Sequence, residues 1–217
     1  MRKVRILFIL MIALSIVFGF SIKSQATLTP IGTATYNSFN YNLIYDDDLG
    51  ITWLDYTRKN DSGDIPDTWS NQRAWAAGLN SGGVLTYNLN AGVTASWSGT
   101  DWRLPMTVDS DVTASEMGHL FYTEPGGVGD FLNLTDAFYW SDTEYSLDTS
   151  RAWAFLFLTG SQSHEPKSNA IFALAVRSGD VSFGGGGTPV PEPSTYLLLG
   201  SGIAGLIMWR RKKKLKA

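Results

Sequence analysis

The sequence contains no cysteine. Disulfides, cysteine–zinc sites, thiol nucleophiles and covalent haem attachment are therefore excluded. Histidine is nearly absent too: His119 and His164 are the whole supply. Neither stands near a recognisable third ligand or nucleophile in the sequence. No catalytic residue, resident metal or cofactor is expected from them. Cations are scarce in the middle of the chain. Four of the 17 Lys and Arg lie in residues 1–26 and six follow Met208, leaving seven against nineteen acids. The whole-chain net charge of −3 hides this strongly acidic body. Nucleic-acid phosphates are tracked by clustered cations, so no nucleic-acid partner is expected. Strongly anionic polymers would also be repelled unless a local patch or a cation intervened.

The body has no long apolar run; both such runs sit at the ends. The first follows Arg2, Lys3 and Arg5, runs from Ile6 to Phe20, and exits through Ser24-Gln25-Ala26. A basic head, a short apolar segment and a small-residue exit describe a secretory signal peptide over residues 1–26. The second, Tyr196 to Trp209, holds 14 residues. As a helix it would span roughly 21 Å against about 30 Å of hydrocarbon. Flanking cations that snorkel and a thinned bilayer close that gap. It is read as a transmembrane helix, with Arg210, Arg211, Lys212, Lys213 and Lys214 as the cytoplasmic stop-transfer block.

Before this helix stand Pro191, Glu192 and Pro193, after a Gly-rich linker over residues 183–190. Proline lacks the backbone donor and pushes its predecessor to an extended conformation. The result is an accessible acidic peptide beside the membrane, well presented to a membrane protease. Pro-Glu-Pro, apolar helix and basic tail, in that order over residues 191–217, resemble the PEP-CTERM sorting signal of Gram-negative bacteria. The resemblance implies an exosortase-type membrane protease as partner and transient anchoring by the helix. It also implies delivery to the cell surface or the extracellular exopolysaccharide.

Within the body, residues 27–182, Tyr41–Asp46 and Ile51–Asp55 read as strands around an Asp47–Gly50 turn. Ser70 is placed to cap a helix over 71–79. Asn80 to Gly99 reads as a surface excursion with short strands at 84–88 and 93–97. Thr113 and Glu116 have the spacing of a capping box ahead of a second helix. Ala137–Ser141, Arg151–Leu158 and Ala170–Arg177 read as further strands. This order predicts an α+β domain with two helices and one antiparallel sheet.

Leu49–Asp55, the Trp75 stretch, Asp101-Trp102-Arg103-Leu104-Pro105, Tyr139-Trp140-Ser141, Arg151-Ala152-Trp153 and Ala175-Val176-Arg177 together resemble the DUF1566, or Lcl C-terminal domain, family. The resemblance covers about residues 44–181 and implies a C-type-lectin-like fold. That fold also includes formylglycine-generating enzymes, whose chemistry needs cysteine. The family's usual cysteines are missing here.

Asp46, Asp47 and Asp48 lack EF-hand spacing. The lectin calcium signatures are replaced by Glu124-Pro125-Gly126 and Glu165-Pro166-Lys167, so no tight calcium site is expected. Arg103 and Arg177 are expected to pair with carboxylates such as Asp101 and fix loop geometry. Trp102 and Trp153 are expected in the core. The sequence names no ligand-binding residue. It points to a non-enzymatic surface or matrix protein that binds polysaccharide, adheres or builds structure. The alternative is a glycan-active enzyme using a carboxylate pair.

Overall fold

The computed structural model describes residues 27–58, 66–97, 101–109, 111–124 and 127–184. The expected signal peptide over residues 1–26, Pro191–Pro193, the Tyr196–Trp209 segment and the Arg210–Lys214 block lie outside the described residues. Among the described residues no helix is long and apolar enough to cross a membrane.

Among the described residues, ten strands and two α-helices follow one another: β1 (Leu28–Tyr36), β2 (Phe39–Asp46), β3 (Ile51–Arg58), α1 (Trp69–Gly78), β4 (Thr86–Leu89), β5 (Val93–Ser96), α2 (Glu116–Tyr122), β6 (Phe138–Glu144), β7 (Arg151–Leu156), β8 (Ser161–Pro166), β9 (Ala173–Ser178) and β10 (Asp180–Phe183). The two expected helices and the antiparallel pairing are present, but the strands form three sheets rather than one. Their orders are β4-β1-β2-β3-β9, β6-β7-β8 and the pair β10-β5. The first two sheets meet at a single parallel bridge, Tyr139 with Phe172. The ladder does not spread, because from Ala173 onward β9 pairs with β3 instead. The chain divides into two units, residues 1–90 with 95–181, and residues 91–94 with 182–217. In the second, the Gly184 amide donates to the Gly92 carbonyl. β10 carries regular structure through Phe183, one residue into the expected linker.

Local chemistry sets the meander β1–β2–β3. Asn37 and Ser38 both take positive φ (49° and 70°), and Tyr36 faces Phe39 across them. Two positive-φ residues in a two-residue loop match the right-handed twist of a hairpin. At the next turn the Leu49 amide donates to Asp46 Oδ1 (3.0 Å), and Gly50 takes φ +61°.

Two apolar cores lie on opposite faces of β6 and β7. Alternation explains the split, since successive strand residues point to opposite faces. Tyr139, Phe155 and Phe157 join Ile44, Trp53, Met117, Leu120, Leu174 and Val176 in one core. Trp140, Ala152 and Ala154 join Trp69, Ala76, Leu104 and Ala173 in the other. In the second core, alanines on the strands and α1 make room for two indoles.

Local expectations about helix caps and arginine partners need correction. Helix α1 starts at Trp69, and Thr68 rather than Ser70 is its N-cap. Thr113 does not cap α2. It belongs to a 3-10 turn, Val112–Ala114, whose cap is Asp111, and the α2 N-cap is Ser115. Glu116 is therefore free of capping duty and forms a two-pronged pair with Arg103 (2.8 and 2.6 Å). Arg103 thus reaches Glu116 rather than Asp101. Arg177 donates to the Trp97 carbonyl (3.1 Å) and lies over the Trp97 ring. His164 sits in β8 and stacks on Tyr145 at 4.0 Å.

Candidate functional site

The β2–β3 turn and the end of α2 bring three ligand-capable side chains together. Asp46 closes β2, His119 lies in α2, and Glu124 lies just beyond that helix. One oxygen from each carboxylate and one imidazole nitrogen all lie within 4.8 Å of one another. His119 Nε2 is 3.3 Å from Glu124 Oε1 and 3.9 Å from Asp48 Oδ2. Asp46 is fully buried, and the Glu124 side chain has 0% exposure. Asp48, half exposed, forms the outer rim.

Backbone features hold these groups. Asp46 Oδ2 accepts from the Trp53 indole (3.4 Å), while its other oxygen serves Leu49. Gly118 lets the 112–114 turn lie against α2: a Cβ there would stand 1.7 Å from the Val112 carbonyl oxygen. The Thr123 amide donates to the His119 carbonyl (2.8 Å) at the C-terminal end of α2, and Glu124, the next residue, lies beside His119.

The electrostatics are unfavourable for two carboxylates in so small a space. Burial pushes the Glu124 carboxyl up to about 7, and the nearby Asp46 charge adds to that rise. Burial also raises Asp46, against the lowering effect of its hydrogen bonds from Leu49 and Trp53. His119 Nε2 and both Glu124 oxygens are buried without a hydrogen-bond partner among the described residues. The 3.3 Å approach of His119 to Glu124 is thus an ion-pair distance without hydrogen-bond alignment.

A second feature lies on the outer face of the five-stranded sheet. Tyr36 (β1), Tyr41 (β2), Tyr56 (β3) and Trp75 (α1) form a continuous aromatic row. Tyr56 is at its centre, 5.4, 4.7 and 5.9 Å from the other three rings. All four are half-buried. A cleft of about 390 Å³ opens at one end, lined by Tyr36, Arg58, Asp67, Asn71 and Trp75. Another of about 410 Å³, lined by Tyr41, Tyr56, Thr57, Asn133 and Thr135, opens at the other. The second cleft has a pinned wall. Asp55 accepts from the amides of Leu132 (2.9 Å) and Asn133 (3.0 Å). Thr57 Oγ1 also bonds Tyr139 Oη at 2.7 Å.

Sequence reasoning singled out Asp46, His119 and Glu124 separately but did not join them. His119 and Glu124 are five positions apart, a spacing that shares no helix face. Asp46 arrives from another sheet strand. Sequence signals for the aromatic row were confined to the abundance of aromatics.

Among known proteins, the chain matches the PEP-CTERM protein-sorting motif over residues 189–212. No curated protein and no solved structure matches it. The motif marks an exported chain that is processed by an exosortase, itself a membrane protein, and sorted to the surface or beyond.

Proposed function

We propose that the sorted body is a non-enzymatic matrix component that binds extracellular polysaccharide through the Tyr36–Tyr41–Tyr56–Trp75 face. The observation that carries this reading is the aromatic row running between two clefts. Sugar rings offer apolar C–H faces that rest on aromatic planes, with hydroxyls left for polar groups at the edges. The clefts supply those polar edges in Asp67, Asn71, Asn133 and Thr135. Both volumes fall in the range of small-ligand sites.

We read the fold as lectin-like, in line with the DUF1566 resemblance. In support, the residues that carry the resemblance converge on the frame. Trp53 faces Val176 across β3 and β9, and Arg103 bridges to Val176. Tyr139 packs in the same core as Trp53. These are roles in holding shape. Binding is favoured over hydrolysis because Asp46 and Glu124, a raised carboxyl pair, have almost no exposed surface with which to meet a sugar.

The test is retention of the purified full-length chain on an array of neutral and acidic oligosaccharides. Tyr56→Ala and Trp75→Ala should each weaken binding about tenfold, the scale of one aromatic stacking contact. Melting temperatures show whether each variant remains folded. No retention on any saccharide, or equal retention by folded variants, defeats this reading.

A further inference from the structure

We propose that Asp46, His119 and Glu124 bind a divalent transition-metal ion of the zinc type, clamping the β2–β3 turn to the end of α2. Three observations carry this. First, the ligand atoms converge from separate parts of the chain to within 4.8 Å. Second, two members are buried polar groups without hydrogen-bond partners among the described residues. The Glu124 side chain is wholly buried with both oxygens unsatisfied, and His119 Nε2 faces it. Buried polar groups in folded proteins are satisfied as a rule, and an ion absent from the coordinates is one standard reason for an exception. Third, the spacing fits. His119 Nε2 and Glu124 Oε1 stand 3.3 Å apart. Two ligands at zinc bond lengths of about 2.0–2.1 Å in a tetrahedron stand about 3.3 Å apart. That is the separation seen for this pair, whose hydrogen-bond alignment fails.

Ligand chemistry selects the ion class. Imidazole suits zinc and its first-row neighbours, whereas calcium requires six to eight oxygens. Two carboxylates and one imidazole give the ion three protein ligands, with the fourth position on the side of Asp48. Asp46 is already oriented by hydrogen bonds from Leu49 and Trp53. Outer partners of this kind fix the ligand that does the binding. A dication would offset the two carboxylate charges. In a chain without cysteine it would also supply the cross-link that a disulfide cannot.

The experiment is calorimetric titration of zinc into the full-length chain, purified in detergent and freed of metal with EDTA. One ion per chain should bind with micromolar affinity or better and raise the melting temperature. Glu124→Gln and His119→Gln should each weaken that binding by more than about 100-fold, beyond what loss of an outer partner costs. Glu124→Gln keeps the shape and removes only charge, and its melting in EDTA reports its folding. If it fails to fold, His119→Gln decides alone. His164→Gln should bind as wild type does. Absence of saturable zinc binding overturns the proposal. So does unchanged affinity in the folded variants, or micromolar calcium binding in place of zinc.

Discussion

Glu124 shows how one carboxyl can oppose the fold that contains it. Its folded pKa, about 7, lies above the ordinary value of 4.5. The native state therefore holds this proton more tightly than the unfolded chain does. Stability from this group is complete below the ordinary value and is lost as pH rises through about 7. With EDTA present, Glu124→Gln should match wild type near pH 4 and melt progressively higher than wild type from pH 5 to 8. Equal melting at pH 8 would show that the carboxylate has found a counter-charge in the metal-free protein. Nothing in the sequence around Glu124 announces this. The rise comes first from burial of the Glu124 side chain and then from the Asp46 charge beside it, and both exist only in the folded chain.

At the scale of elements, what the sequence conveyed depended on clean periodicity. β2, β3, β6, β7 and β9 carry apolar or aromatic residues in regular patterns and were legible. β1 was not, because its register shifts between Pro30 and Gly32. Ile31 and Ala34 are both fully buried although three positions apart, which breaks the two-residue rhythm. β8 escaped for a different reason. Ser-Gln-Ser-His-Glu-Pro has no apolar alternation, and it is a strand because β7 beside it offers a full ladder. The aromatic anchors were better signals. Trp102 is 1% exposed, and its indole donates to Tyr87 Oη at 2.8 Å. Trp102→Ala should cost about 3–5 kcal/mol in chemical unfolding. Trp153 is 8% exposed and packs edge-on to Tyr145, so its truncation belongs at the lower end of that range. Unchanged unfolding midpoints would place both indoles outside the cooperative core.

For the whole molecule, the sorting motif sits outside the described fold and should act independently of it. Replacing Pro191, Glu192 and Pro193 with Ala should leave the chain in the membrane with its basic tail intact. The wild-type protein should reach the surface without that tail. Mass spectrometry of the two forms decides this, and an intact Lys212–Lys214 tail on surface wild-type protein would contradict it. The motif was legible because its elements are contiguous. The Asp46–His119–Glu124 cluster was not, because it joins residues from distant parts of the chain, and their contact exists only once β2 and α2 have packed into the core that holds Ile44, Met117 and Leu120.

The order β4-β1-β2-β3-β9 also has a kinetic meaning. Strands β1 to β3 are neighbours in sequence and can zip by short hairpins, whereas β3 gains its outer partner only when Val176 reaches Trp53. Closing so long a loop is slow compared with hairpin formation. Until then β3 is an open edge carrying Ile51, Trp53 and Leu54, the kind of edge that recruits other chains. A chain ending before Ala173 should therefore self-associate through β3. Light scattering should detect this at concentrations where the intact chain stays dispersed. A dispersed, folded truncation would mean that the edge is shielded by something other than β9. If the edge is open, β9 acts as the molecule's own chaperone.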